Sequence, residues 1–198
     1  SDPGEVLCEG EDSAGVRKDF DARCYRTIFA TEFPDTEFLA VGNDQQVQSD
    51  LHGIGAVEVL APGTVVERVI DRDDRSDAEV AEAAALGTRV LGRRHLEAYL
   101  LDDEVLERLC ISVGKPAQGA ALKAAKQAAL TSSVGPPRGN PPDDLISCAG
   151  EVFTAAKRLL ELVAVGNNKD TFMRDTLAPL LVPGMSVYGE LKAAMFGT

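Results

Sequence analysis

The segment Val65–Val80, VVERVIDRDDRSDAEV, passes from a β-branched run to carboxylates in one step, at Ile70–Asp71. Val65 to Ile70 predicts a strand, the most apolar in the chain, and Asp71 and Asp73 stand just beyond its end. A strand that closes on acid presents that acid at the edge of a sheet, and in a parallel α/β sheet this edge is where ligands bind. Ser76 then predicts a helix N-cap with Glu79 as its capping-box partner, and the helix runs to Leu86 and stops at Gly87.

The same transition occurs earlier, in Val6–Tyr25, VLCEGEDSAGVRKDFDARCY. Glu5 to Cys8 predicts a strand closed by Glu9-Gly10, and Asp19 to Phe29 a helix with Phe20, Cys24, Ile28 and Phe29 on one face. Thr36 to Val41 is the next strand, followed by a short polar helix over Gln45 to His52. Thr88 to Leu91 is the fourth strand, and Arg93 to Cys110 a charged helix with Leu96, Tyr99, Leu100, Val105, Leu106 and Leu109 facing inward. Alternation of this kind predicts a parallel sheet with helices on both faces. If the strands ending at Cys8 and Ile70 are neighbours, Glu9 meets Asp71. Three carboxylates so placed repel one another unless cations bind, and Mg²⁺ takes carboxylate oxygen while keeping waters for substrate phosphates.

Beyond Cys110 the pattern is helical: Gln118 to Leu130, a Pro/Gly-dense break at VGPPRGNPPDD, Asp144 to Val165 ended by Gly166, Phe172 to Leu181, and Ser186 to Phe196 after a Pro183-Gly184 turn. Residues 1–112 are therefore read as the α/β domain and 113–198 as a helical accessory region.

Composition bounds the function. The chain has 198 residues, 44% of them hydrophobic, and a net charge of −12, with acids concentrated over Asp71–Glu82 and Glu97–Glu107. That charge disfavours binding of naked polyanions unless divalent ions screen it or a partner supplies the basic surface. Cys8, Cys24, Cys110 and Cys148 form no C-x-x-C pair and have only His52 and His95 to help them, so zinc is not expected and reduced thiols in the cytoplasm are. No apolar run approaches a membrane span. SVGKPA lacks the first glycine and the hydroxyl of a P-loop, so this segment is not an ATPase. With no initiating Met and a strand beginning almost at once, the chain reads as part of a longer protein.

Glu9-Gly10 after one apolar strand and Asp71-Arg72-Asp73 after another resemble the TOPRIM domain shared by topoisomerases, primases and related nucleases. The stretch RRHLEAYLLDDEVL is similar to the Arg-rich, Glu-containing segment of the overcoming-lysogenisation-defect (OLD) nucleases, and the resemblance covers about residues 5 to 110. It implies a TOPRIM, Rossmann-like sheet and a DNA endonuclease or nickase using two Mg²⁺ or Mn²⁺ ions, preceded by an ATPase domain in the whole protein. Carried over by position, Glu9, Asp71 and Asp73 are catalytic, and Glu9, Asp21, Asp71, Asp73 and Glu97 hold metal. Where the family often has a second acid four residues after the first Glu, this chain has Ser13. Asp21, which starts a helix, takes that place, with Asp12 the alternative. Lys115, Lys157 and Lys192 compete for the family's catalytic lysine, of which Lys192 is taken. Arg93 and Arg94 are assigned to the nucleic-acid phosphates.

Ordinary roles compete with these. Asp71 and Asp73 can cap the following helix, Asp74 and Asp77 suit its first turn, and Glu97 can pair with the neighbouring arginines. A haloacid-dehalogenase-like phosphatase also carries D-x-D after a strand, but wants a small residue where Arg75 stands. A TOPRIM-like module without catalysis, working as an interaction or clamp domain, is the alternative that Ser13 supports.

Overall fold

The computed structural model describes residues 4–8, 19–40 and 66–197. The predicted helix over Gln45 to His52, and Glu9, Asp12 and Ser13, lie outside these residues. The chain forms two compact units, Ser1–Gly92 with Glu190–Thr198, and Arg93–Gly189.

The first unit holds the sheet. Strands β1 (Glu5–Cys8), β2 (Glu37–Ala40), β3 (Val66–Ile70) and β4 (Thr88–Val90) are all parallel, in the order β2-β1-β3-β4. The α/β expectation and the pairing of β1 with β3 both hold, with Leu7 opposite Arg68. Helix α1 (Phe20–Phe29) joins β1 to β2, and α2 (Asp77–Ala85) joins β3 to β4. The two crossovers run outward in opposite directions, so right-handed connections lay the helices on opposite faces.

The α1 face is aromatic. Phe38 of β2 pairs in register with Val6, and the rings of Tyr25 and Phe29 lie 6.0 and 6.1 Å from that of Phe38. Phe196, near the end of the chain, packs edge-on to Phe29 at 5.0 Å and stacks on Phe33 at 4.2 Å. Burying side chains of this size contributes roughly 1.5–3 kcal/mol each. This cluster is the main apolar anchor between α1, β2 and the C-terminal residues.

The second unit is helical: α3 (Glu97–Leu100), α4 (Asp103–Ser112), α5 (Gly119–Val134), α6 (Ala149–Leu160) and α7 (Lys169–Phe172), followed by a π-turn over Met173–Leu177. The last helix, α8 (Ser186–Phe196), starts here and finishes in the first unit. Its first amides are capped from a distance in sequence, by the Glu104 carboxylate at 3.3 Å from Ser186 N and 2.8 Å from Val187 N. A carboxylate there satisfies orphan donors and suits the helix dipole.

Two sequence expectations are corrected. The charged helix over Arg93 to Cys110 is two helices, because Asp102 leaves helical geometry (φ −61°, ψ 151°) and its side chain caps the second by accepting from Glu104 N. The helix expected to run from Asp144 to Val165 stops at Leu160, where Glu161 takes the left-handed conformation at φ 54°. No helix among the described residues is long and apolar enough to cross a membrane.

Candidate functional site

In the order β2-β1-β3-β4 the direction in which successive strands are added reverses between β1 and β3, which makes their C-terminal ends the topological switch point of the sheet. A crevice opens at such a point because the connections leave to opposite faces. Asp71 is the residue after Ile70 there, half-buried. Glu9 is the residue after Cys8 in sequence and lies outside the described residues. Asp21 stands in the first turn of α1, a helix that crosses back from the same edge.

The loop from β3 to α2 is held in a strained shape. Arg75 N donates to Arg72 O at 3.0 Å, closing a turn whose second residue, Asp73, has φ 47°. For a non-glycine residue this conformation costs about 1–2 kcal/mol and persists only where neighbours fix it. Arg75 supplies that fixing: its Nη1 donates to Asp71 O at 2.7 Å and to Arg72 O at 3.4 Å, and meets Asp73 Oδ2 at 3.4 Å. Arg72 reaches Asp77 Oδ1 at 2.5 Å.

On the far side the expected capping box is present. Glu79 Oε2 accepts from Ser76 N at 2.8 Å and from its hydroxyl at 2.7 Å, while Ser76 Oγ accepts from Glu79 N. These bonds hold the Glu79 carboxyl below its ordinary range. The ring of contacts thus falls to Ser76 and Glu79 at the helix and to Arg75 in the turn. Asp73 keeps its side chain 53% exposed.

As a donor set, Asp71 and Asp73 offer hard carboxylate oxygen, which fits Mg²⁺ or Mn²⁺ and not a thiolate or imidazole metal. Among the described residues, no three His, Cys, Asp or Glu side chains gather into a metal-holding group.

Lys192 lies elsewhere. It pairs with Glu32 at 3.1 Å and sits 5.5 Å from the ring centre of Phe33, on the turn that leads into the N-terminal end of β2. Asp71 follows the C-terminal end of β3, so the structure does not bring this lysine to the D-x-D. Of the other candidate lysines, Lys115 binds Glu161, and Lys157 bonds Gly166 O and Asn167 Oδ1.

Arg93, Arg94 and Glu97 belong to the second unit, where their charges are largely spent internally. Arg93 Nη1 meets Asp102 Oδ2 at 2.7 Å and Ala98 O at 2.9 Å, and its guanidinium lies 4.9 Å from the Tyr99 ring centre. Arg94 pairs with Asp143 at 3.0 Å. Glu97 is 1% exposed, with its Oε2 3.6 Å from Nδ1 of the equally buried His95, whose Nε2 faces Asp144 at 3.3 Å.

The four cysteines are buried and none is in a disulfide, and burial pushes the Cys110 and Cys148 thiols up, away from the character of a nucleophile. Sequence reasoning missed Arg75 as a site residue. The available signal was its spacing, four residues past Asp71, which lets a long side chain fold back onto the carbonyl ending the strand. No family model, curated protein or solved structure matches the chain.

Proposed function

We propose that this chain is the catalytic domain of a divalent-metal-dependent DNA endonuclease of the TOPRIM type, related to the OLD nucleases and joined to an ATPase domain in the whole protein. One observation carries the reading. The C-terminal ends of β1 and β3 are neighbours at the switch point of the sheet, and the next residue in sequence on each strand is an acid, Glu9 and Asp71. A pair of acids, a D-x-D on a strained loop and a parallel sheet edge together suit phosphoryl chemistry.

Asp71 and Asp73 hold the cations in this reading, with Glu9 and Asp21 completing the oxygen donors. Two Mg²⁺ or Mn²⁺ ions held there would supply an activated water and stabilise the leaving oxygen of a phosphodiester. Glu9 either ligates or moves a proton from the attacking water. Lys192, tied to Glu32, takes no part.

The net charge of −12 divides the labour. Two divalent ions offset about four of these charges, so duplex DNA is gripped by a neighbouring domain and cut here.

Incubation of the chain with supercoiled plasmid tests the proposal. Nicking or linearisation is expected with Mn²⁺ and not with EDTA, and Asp73→Ala is expected to reduce it at least 100-fold, in the range seen when a catalytic electrostatic group is lost. Cutting by Asp73→Ala at the parent rate would overturn the assignment. Absence of cutting together with absence of Mn²⁺ binding favours the interaction or clamp module.

A further inference from the structure

We infer that the first unit carries a second binding site, in a cavity at the β4 edge of its sheet, for a small carboxylate with an apolar body, and that Arg68 is its anion-binding group. The site is separate from the acidic loop, and metal plays no part in it.

A cavity of about 340 Å³ lies against β4, at the small end of the range of ligand pockets. Val80 and Ala84, one turn apart on α2, give it an apolar wall together with Val90 and with Ala194 of α8. Gly87 and Thr88 line it at the start of the strand. Glu67 and Arg89 border it as well, but they satisfy each other: Arg89 Nε meets Glu67 Oε2 at 3.0 Å, and Nη2 meets Oε1 at 3.3 Å. That fork is neutral as a whole.

Arg68 has no such partner. Its Nε is buried without a hydrogen bond, and the acid beside it in sequence, Glu67, is taken by Arg89. A charged donor left in this state is uncommon in a folded protein and calls for a reason. Arg68 stands in register with Thr88, so the two side chains leave the sheet on the same face. Its Nη1 lies 4.0 Å from the point where a side chain on Gly87 would begin, so the bare glycine brings the guanidinium up to the cavity wall. Gly87 has φ 78°, a conformation that itself favours glycine.

The chemistry of the ligand follows from this lining. A guanidinium spreads its charge over three nitrogens, so an anion that reaches Nη1 from the cavity neutralises the whole group, the buried Nε included. One unpaired guanidinium matches one negative charge, as a carboxylate provides, and the Thr88 hydroxyl, on a residue 2% exposed, is a further donor beside it. A phosphate dianion brings a second charge into a cavity that the Glu67 carboxylate already borders, and the two repel. The four apolar residues suit a short branched hydrocarbon.

Titration of the full chain with 4-methylpentanoate in metal-free buffer tests this, read by melting temperature and by backbone amide shifts. The melting temperature should rise, and the amides of Gly87, Thr88 and Val90 should shift. The uncharged 4-methylpentanamide and inorganic phosphate should each bind at least about tenfold more weakly, the scale of one charge-assisted hydrogen bond. Arg68→Met keeps the stem and removes the charge, and Ala194→Leu fills the cavity and keeps Arg68. Each should weaken 4-methylpentanoate binding by at least about tenfold. Shifts absent at these amides in the parent, or parent-like affinity in Arg68→Met, would overturn the site. Amide binding equal to carboxylate binding would reduce it to an apolar cavity with no anion recognition, and phosphate binding equal to carboxylate binding would overturn the single-charge assignment. If Arg68→Met does not fold, Ala194→Leu decides: parent-like affinity there places the ligand outside the cavity.

Discussion

The loop from Asp71 to Asp77 and the segment from Arg93 to Asp103 are both dense in acids and arginines, yet they settle their charges in opposite ways. In the loop the arginines pair locally: Arg72 with Asp77, and Arg75 with Asp73 and the Asp71 carbonyl. Local pairing shapes the turn but leaves Asp73 exposed beyond the end of a parallel strand. In the segment Arg93 also pairs locally with Asp102, but Arg94 and His95 reach partners from afar, Asp143 and Asp144, 49 residues on. Arg94 and His95 are themselves nearly buried, and these contacts tie the segment to the loop before α6. Similar composition thus leaves an exposed acid at a strand end in one place and builds architecture in the other.

The largest expected effect separates the two. Glu97→Ala removes a carboxylate that is 1% exposed beside His95, and leaving buried polar neighbours without their partner costs about 1–3 kcal/mol. Asp73→Ala removes an exposed acid, and alanine is less suited than aspartate to the left-handed turn, so a small loss of stability in EDTA is expected, below that of Glu97→Ala. Denaturant unfolding of both variants in EDTA checks this. A Glu97→Ala variant as stable as the parent, or an Asp73→Ala variant as damaged as Glu97→Ala, would erase the distinction between the regions.

What the sequence made legible follows the same line. The pairing of β1 with β3, the Ser76–Glu79 capping box and the span of Ser186–Phe196 rest on short-range pattern: β-branched runs, a cap spacing and a helical period. The breaks at Asp102 and Glu161 were not legible, because each residue reads as an ordinary helix-surface acid until its backbone is seen. Nor were the partners of Arg93 and Arg94, since composition shows charges and not what lies opposite them after folding. For the candidate site, Asp71 and Asp73 were legible as strand-end acids, and Arg75 was not, because its role depends on a turn that folds it back.

A smaller effect sharpens the local side of the comparison. Ser76→Ala removes the hydroxyl that caps α2 and holds Glu79, and loss of such a cap costs about 1 kcal/mol. The Glu79 carboxyl lies below its ordinary value of 4.5, held there by its bonds to Ser76. A carboxyl lowered in the folded state contributes stability that is complete above that ordinary value and is lost as pH falls through the folded one. The gap between parent and Ser76→Ala should therefore be widest near neutrality and narrow below about pH 4.5, as urea unfolding across pH can show. A gap that is constant with pH would mean that the Glu79 arm of the box adds nothing.

The smallest effect concerns the other end of strand β1. Glu5 is 8% exposed at the N-terminal edge of the sheet and stands in register with Glu37 of β2. Burial first, and then the Glu37 charge, push its carboxyl above the ordinary value of 4.5. Like charges directly opposite on neighbouring strands are destabilising. A carboxyl raised in the folded state has the reverse sign from Glu79: the folded protein binds the proton more tightly than the unfolded chain, so the ionised group is a burden above its folded pKa. That burden disappears as pH falls below the ordinary value. Glu5→Gln, which keeps the shape and removes the charge, should therefore raise the melting temperature at neutral pH, with the gain fading as pH falls toward and below 4.5. No metal enters this edge in the proposed function, so the gain should be the same in Mn²⁺ and in EDTA. A gain that appears only in EDTA would place a cation at Glu5 and move the ligand edge of the sheet to its opposite end.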